Sequence, residues 1–240
     1  MSNITVILNS YKRAQYLPEQ IQAIQQQTVK PDEIMIWSNK PEEGQQYNLD
    51  ALGVKAAYAN HNFKFHARFA FGLLAKTEYV AFFDDDTIPG SRWFENCLNY
   101  IKDEDLILGS TGVEFRGNDY ATNEKFGWNS INNIELKYVD LVGHSWFMKR
   151  STLKYLWYED PISWENGEDI QLSGFAYKYG GIKTAVPPHP PTDTSLWGSI
   201  KPNYGFDEAA SHWKSNHLEL RNQIASTLMN NGYIKVLDRK

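Results

Sequence analysis

The feature that most limits the fold of this chain is a strand–helix–strand pattern at its start. Residues Ile4–Leu8 form a nearly continuous apolar run, Leu and Ile recur at helical spacing over residues 17–24, and Glu33–Trp37 form a second strand-like run. A strand, a helix and a strand in this order predict a βαβ unit, whose two strands lie parallel. We therefore expect an α/β fold with a sheet that begins parallel.

Later segments continue the alternation of apolar strands and amphipathic helices. No internal repeat, low-complexity tract or linker interrupts them, so we expect one domain over residues 1–240. The further predicted elements are a helix at 69–74, a strand at Tyr79–Phe83, a helix at Trp93–Ile101, strands at Leu106–Leu108 and Val139–Val142, a helix at Ile170–Tyr179 and a helix at His212–Leu228.

Composition and charge exclude several classes of protein. The net charge of -5 gives no reason to expect a nucleic-acid groove. No apolar run approaches the ~18 residues of a membrane helix, and no signal peptide is evident. The single cysteine, Cys97, excludes an internal disulfide and a cysteine-rich zinc site. We expect a cytoplasmic protein, with peripheral membrane attachment left open.

Prolines are concentrated in one segment near the end of the chain. Five of the ten lie between Pro187 and Pro202, together with Gly198. Such a segment cannot form a regular helix or strand, and we expect it to cross the surface as a solvated loop. A mobile cover over a binding site is the alternative.

Three consecutive carboxylates, Asp84-Asp85-Asp86, carry the main chemical signal. They end the apolar run Tyr79–Phe83 and precede the turn residues Thr87–Gly90. Ligands bind outside the carboxyl ends of strands in open α/β sheets. Crowded carboxylates repel one another there unless a cation lies between them, so we expect Mg²⁺ or Mn²⁺ and a phosphate-bearing ligand. The alternative is a cluster that caps the helix beginning near Trp93.

A second acidic triplet, Asp103-Glu104-Asp105, has a different setting. It follows a predicted helix in a polar stretch rather than a buried strand. We expect it to be a solvated turn without a bound ion.

Six short segments, in order along the chain, share a pattern with one class of enzyme. They are Asn9–Arg13, Trp37–Asn39, Phe82–Thr87, Val142–Met148, Glu168–Leu172 and His217–Arg221. Together they resemble nucleotide-sugar glycosyltransferases of the GT-A fold, from family 2 and the exostosin-like family 64. Trp37-Ser38-Asn39 is more similar to the exostosin-like pattern, because family 2 usually has an Asp there that reads uracil.

The resemblance implies a fold and an activity. The fold is a single GT-A domain, a Rossmann-like mixed and mostly parallel sheet flanked by helices, with a nucleotide-sugar half at 1–110 and an acceptor half at 111–240. The activity is metal-dependent transfer of a hexosyl or N-acetylhexosaminyl group from a nucleoside-diphosphate sugar, a UDP-sugar, to a hydroxyl of a glycan or glycoconjugate. Family 2 implies inversion and the exostosin-like family implies retention. The alternative is a non-catalytic carbohydrate-binding protein on the same fold.

The resemblance also assigns the donor-side residues. Asp86 and Asp84 are the expected metal ligands. Lys64 and Arg68, and likewise His217 and Arg221, are four residues apart, so each pair would share one helical face and could hold a diphosphate or simply be solvated. The expected nucleotide-sugar residues are Asn9, Ser10, Tyr11, Arg13, Ser38, Asn39, Lys64, Arg68, Asp84, Asp85, His217 and Arg221.

The acceptor-side residues follow from the later segments. Asp169, with Glu168 beside it, is the expected catalytic acid group, which would accept the proton of the acceptor hydroxyl in an inverting enzyme. The expected acceptor-binding residues are His144, Trp146, Trp164 and Trp197. Each of His144, His189 and His212 could be a metal ligand or a structural histidine.

Overall fold

A nine-stranded sheet runs through the computed structural model, which describes residues 2–42, 47–117, 120–205, 207–208, 213 and 215–239. The strands are β1 Ile4–Ser10, β2 Glu33–Ser38, β3 Lys55–Tyr58, β4 Tyr79–Phe83, β5 Leu106–Glu114, β6 Glu124–Gly127, β7 Lys137–Val139, β8 Leu141–Lys149 and β9 Lys183–Val186. Their order is β3-β2-β1-β4-β8-β5-β9-β7, and β6 pairs with β5.

Strand direction divides the sheet. Strands β1 to β5 and β9 run one way, whereas β6, β7 and β8 run the other way. The expected mixed, mostly parallel α/β sheet is therefore confirmed. Because β8 is antiparallel to β4, the start of β8 lies beside the carboxyl end of β4.

Helices cover both faces of the sheet. They are α1 Leu17–Gln25, α2 His66–Gly72, α3 Trp93–Ile101, α4 Glu168–Gly180 and α5 His217–Asn230. Alternate residues of β1 and β4 enter different cores, since Val6 and Phe83 pack with α1 and α3, whereas Ile7 and Phe82 pack with α2 and α4. Burial of both faces explains why these strands read as continuous apolar runs.

Among the predicted elements whose bounds differ in the structure are the strand at 139–142 and the last helix. Residues 139–142 do not form one strand, because the buried Asp140 separates β7 from β8 and its carboxylate accepts hydrogen bonds from the backbone N–H groups of Phe115 and Val236. The last helix begins at His217 rather than at His212, and His212 lies outside the described residues.

The proline-rich segment is a solvated loop only in part, because some of its residues are exposed and others are buried. It is irregular apart from a 3-10 turn at Thr194–Leu196, but Pro187, Pro188 and His189 are buried. Its backbone exchanges hydrogen bonds with residues 88–92, and the Asn96 side chain donates to the carbonyls of Pro188 and Leu196. The segment is therefore a packed part of the α3 side of the sheet.

No helix among the described residues combines the length and the apolarity that crossing a membrane requires.

Candidate active site at the carboxyl end of strand β4

A cavity of about 400 Å³ opens beside the end of β4. Its walls come from α2, from β5, β6 and β8, and from the starts of α4 and α5. Eight of the residues predicted from the sequence line it: Arg68, Asp84, His144, Trp146, Glu168, Asp169, His217 and Arg221. The fold thus brings donor-side and acceptor-side predictions into one space.

The acidic triplet occupies a tight turn held from outside. The Asp84 backbone N–H donates to the carbonyl of His144 at 2.9 Å, which continues the ladder between β4 and β8 for one more residue. The buried Gln20 side chain of α1 donates to the carbonyls of Asp84 and Thr87, at 2.8 and 2.7 Å. These bonds hold the backbone of the turn that carries the three carboxylates.

Asp84, Asp86 and His144 could together hold a metal ion. One possible ligand atom from each of the three residues lies within 4.8 Å of the others. His144 has a positive φ of 64°, next to an irregularity in the β5–β8 pairing, and this uncommon backbone conformation accompanies an imidazole that faces Asp84, with Nδ1 3.8 Å from Oδ2. Burial lowers the pKa of His144, which favours the neutral imidazole that metals bind.

Two buried arginines neutralise the triplet in this structure. Arg13 contacts Asp85 Oδ1 at 3.0 Å and Asp86 Oδ2 at 2.9 Å, and it also pairs with Asp207. Arg68 contacts Asp84 at 2.5 Å and stacks over the Trp146 ring. Arg13 and Arg68 therefore stand where a cation is needed, as the crowding of carboxylates requires.

Burial disfavours the ionised form of two carboxyl groups in the triplet. It raises the pKa of Asp85 to about 7, with Asp86 adding repulsion, and raises the pKa of Asp86 to about 6, with Asp84 adding repulsion. Carboxyl groups shifted this far upward gain most from a nearby divalent cation.

At the start of α4, Asp169 forms a two-pronged ion pair with Arg221. The Nη2–Oδ2 distance is 2.7 Å and the Nη1–Oδ1 distance is 3.1 Å, while Arg221 also donates to Asn166 Oδ1. Both residues are buried. A Cβ atom on Gly143 would lie 4.0 Å from Asp169 Oδ2, so this carboxylate faces the backbone next to His144.

Glu168 precedes Asp169 at the start of α4 and has a separate partner. Its Oε1 accepts a hydrogen bond from Arg68 Nη2 at 3.2 Å, which links it to the Asp84 pair. Burial, together with repulsion from Asp169, raises the pKa of Glu168 to about 7. Two adjacent carboxyl groups thus have different partners, one on each arginine.

Both residues of the α5 pair lie at the cavity, and their spacing places them on one face of the helix. His217 and Arg221 both line the wall, and His217 Nδ1 lies 3.5 Å from Asn166 Nδ2. Arg221 is bound to Asp169 in this structure, so a diphosphate would have to compete with that carboxylate for the guanidinium.

The residues at the end of β1 and directly after it are not among the described residues that line the cavity. Ser10 is buried and its carbonyl accepts from the Asn39 N–H, whereas Tyr11 is partly exposed with the Lys12 ammonium over its ring. The Asn9 Oδ1 atom is buried without a hydrogen-bond partner among the described residues. Arg13 is the member of this segment that reaches the carboxylates.

Asn39 holds a loop in this structure. Its amide donates to the carbonyl of Lys64 and accepts from the backbone of Phe63 and from Trp37 Nε1, while Ser38 Oγ contacts the Asn39 carbonyl. The prediction that Lys64 and Arg68 share a helix is wrong, because α2 begins at His66. Lys64 precedes it with φ of 58° and pairs with Glu165.

The three candidate acceptor tryptophans have different positions. Trp146 is buried in the cavity wall, whereas Trp164 is 59% exposed beside His66. Trp197 donates to the Pro190 carbonyl and packs near His189, whose ring nitrogens bond to the segment's own backbone. Neither Trp164 nor Trp197 is among the described residues that line the cavity.

Several cavity residues carry no signal in the sequence that predicts them. Tyr120, Lys125 and Trp128 come from a stretch around β6 in which no strand was predicted, and Asn166 lies in the loop before α4. β6 has four residues and pairs with a single strand, which explains why periodicity missed it.

Comparison with known proteins agrees with this geometry. Residues 5–157 match the family Glycosyl transferase family 2. No curated protein matches the chain.

Solved structures share the fold at low sequence identity. Staphylococcus aureus TarS 1-349 has a TM-score of 0.57 and 17% identity, covering 78% of this chain and 58% of its own. The mannosyltransferase PcManGT from Pyrobaculum calidifontis, in complex with GDP-Man and Mn²⁺, has a TM-score of 0.56 and 16% identity, covering 80% of this chain and 58% of its own. The chain thus spans less than two thirds of the length of these structures. With the family match over more than half of its residues and the GT-A fold of its sheet, the chain belongs to glycosyl transferase family 2.

Proposed function

We propose that this protein transfers a sugar from a nucleoside-diphosphate sugar to a hydroxyl group of a glycan or glycoconjugate, with the help of a divalent cation. The observation that carries the proposal is the meeting of Asp84, Asp86 and His144 in reach of Glu168 and Asp169. The first group suits a cation and the diphosphate it binds, and the second suits proton transfer. Family membership supports sugar transfer as the reaction.

The residues present fit a divalent metal ion. Two carboxylates and one imidazole, within 4.8 Å of one another, form a mixed oxygen and nitrogen donor set. Carboxylates suit Mg²⁺ and Mn²⁺, and the added imidazole favours Mn²⁺ of the two. When bound, the cation would stabilise the negative charge that develops on the leaving diphosphate.

The arginines that neutralise the site in this structure define the donor side. Arg13 and Arg68 hold the triplet, and both would be released toward phosphate oxygens once a cation takes the carboxylates. We assign residues 1–110 to the nucleotide-sugar half and residues 111–240 to the acceptor half. A UDP-sugar is the proposed donor, and a GDP-sugar, which the mannosyltransferase structure contains, is the competing one.

Asp169 is the proposed base. It would take the proton of the acceptor hydroxyl, whose oxygen then bonds to the anomeric carbon while the bond from that carbon to the diphosphate breaks. Binding of the diphosphate would draw Arg221 from Asp169 and so free the carboxylate for this step. Membership of family 2 favours inversion at the anomeric carbon.

The compartment is a further part of the proposal. Cys97 is a buried free thiol, and one unpaired cysteine fits a reducing compartment such as the cytoplasm.

Thermal unfolding with UDP, GDP, CMP and TDP, each with Mn²⁺ or EDTA, tests the proposal. A ligand at 100 times its Kd stabilises the folded state by about 2.7 kcal/mol, which raises the Tm by roughly 2–4 °C per kcal/mol. We expect one nucleotide to raise the Tm only when Mn²⁺ is present. The absence of a shift from all four would overturn the proposal and favour a carbohydrate-binding protein without catalysis.

A further inference from the structure

The floor of the cavity is a patch of three adjacent strands, β6, β5 and β8. Lys125 of β6 pairs with Val113 of β5, which pairs with Leu141 of β8. All three line the cavity, so the Lys125 side chain stands on the cavity face of the sheet. The strand β6 lies two strand spacings, about 10 Å, from β8, which carries His144.

Lys125 differs from the other cationic side chains in this wall. Arg68 is held by Asp84 and Glu168, and Arg221 is held by Asp169. No carboxylate pairs with Lys125 in the part of the chain that the structure describes. The acidic neighbours along these strands have other partners, since Glu124 pairs with Arg116 and Glu114 pairs with Arg116 and Lys137.

Lys125 is exposed to solvent at the cavity wall, where a ligand can reach its ammonium group. Partial desolvation lowers the pKa of Lys125, and repulsion from the Arg221 guanidinium lowers it further. An ammonium group in such a place is stabilised by an anion that enters from solvent. Trp128 adds a donor, because it lines the same cavity and its buried indole N–H lacks a hydrogen-bond partner among the described residues.

We propose that the acceptor carries a negatively charged group, a phosphate or a carboxylate, and that Lys125 binds it. The inference rests on the proposed sugar transfer, because it assigns the ligand of this wall to the acceptor. Lys125 lies in the acceptor half, two strands away from β8, whereas the diphosphate is assigned to the acidic triplet and to Arg221. Lys125 is thus a specificity-determining residue, with Trp128 as the second donor.

Binding of small probes tests the assignment. Ligand-observed NMR titrations would compare glucose 6-phosphate, glucuronic acid and glucose, on protein saturated with the nucleoside diphosphate and Mn²⁺ so that the donor-side phosphate site is filled. We expect at least one anionic probe to bind about tenfold more tightly than glucose. The better of the two identifies phosphate or carboxylate.

Variants connect the preference to the side chain. Lys125→Gln should reduce the ratio of the affinities for the anionic probe and for glucose to about twofold or less. Lys125→Arg should retain most of this preference. Lys76→Gln is the matched control, because Lys76 is an exposed lysine outside the cavity that has no ion pair among the described residues. Three outcomes would overturn the proposal. The wild type could bind all probes equally, the preference for an anionic probe could survive in Lys125→Gln, or Lys125→Gln could weaken nucleotide binding.

Titrations without nucleotide keep the two proposals distinct. If no nucleotide binds but Lys125→Gln still abolishes an anion preference, the proposed sugar transfer fails and the assignment to an acceptor fails with it, leaving an anion site. If the nucleotide binds with Mn²⁺ and no preference depends on Lys125, the anionic acceptor alone is overturned.

Discussion

The two acidic triplets of this chain have similar composition and opposite surroundings. Asp84-Asp85-Asp86 ends a buried strand, and its cationic partners are the buried arginines Arg13 and Arg68. Asp103-Glu104-Asp105 lies on a turn after α3, as expected from the sequence, and its partners are the lysines Lys149 and Lys183. One triplet is enclosed by the fold, and the other stands at its surface.

The difference shows that burial decides what a carboxylate cluster can do. Water solvates the charges of the exposed triplet, and its ion pairs contribute little. The enclosed triplet has lost most of that water, which raises the pKa values of Asp85 and Asp86 and requires fixed cations nearby. We therefore expect a divalent cation to bind more tightly at the enclosed triplet than at the exposed turn.

The largest effect should come from neutralising the enclosed triplet. The double variant Asp84→Asn/Asp86→Asn removes two of three ligand groups, and we expect transfer to fall by about 10⁴-fold or more, since a metal supplies several kcal/mol to such a reaction. The Mn²⁺-dependent rise of the Tm with nucleotide should vanish. The matched variant Asp103→Asn/Asp105→Asn should retain the transfer activity and the rise of the Tm. A similar loss in this variant would contradict the difference we infer between the two triplets.

Next in size is the effect of the proposed base. Asp169→Asn should lower kcat by about 10²- to 10⁴-fold while nucleotide binding with Mn²⁺ persists, because the group acts on the acceptor. Steady-state kinetics and thermal shifts separate the two. Collapse of nucleotide affinity in this variant would mean that Asp169 works on the donor side or holds the structure.

Removing one cation from each triplet compares their stabilities directly. Arg68→Met leaves Glu168 buried without its partner and should reduce the free energy of unfolding by about 3–5 kcal/mol. Lys149→Met removes an exposed partner of Asp105 and should cost about 0–1 kcal/mol. Urea denaturation measures both, and equal values would contradict the role given to burial.

A further effect on stability concerns pH. The folded-state pKa of Glu168 is raised to about 7 from an ordinary value of 4.5, so the folded protein binds the extra proton between these values. Its contribution to stability should therefore be present at low pH and decrease as pH rises toward 7, by about 1–3 kcal/mol. Glu168→Gln should flatten this part of the profile, and an unchanged slope would place the ionisation elsewhere.

Much of the fold could be predicted because its signals are local. The apolar run Tyr79–Phe83 coincides with β4, and the helix predicted at Trp93–Ile101 coincides with α3. The contacts that complete the site are not local. His144 meets Asp84 because β8 pairs with β4, and Arg221 meets Asp169 across 52 positions, a separation that no spacing rule anticipates.

The predictions that are wrong, wholly or in part, have the same cause. The prolines of residues 187–202 show that regular structure is impossible, but whether the segment is buried depends on its fit to α3. Lys64 and Arg68 are correctly spaced for one helical face, yet the Asn39 amide binds the Lys64 carbonyl and the helix begins two residues later.

By itself, the sequence determined the alternation of strands and helices and the place of three carboxylates at a strand end. Hydrophobic periodicity and repulsion between neighbouring charges act over a few residues, so both can be recognised in the sequence without a structure. Only the tertiary structure decided which distant groups share the cavity: His144 beside the triplet, Arg221 on Asp169 and the unpaired Lys125 on the floor. These contacts between distant residues depend on the order and direction of strands β4, β8, β5 and β6, which the packing of the whole chain determines.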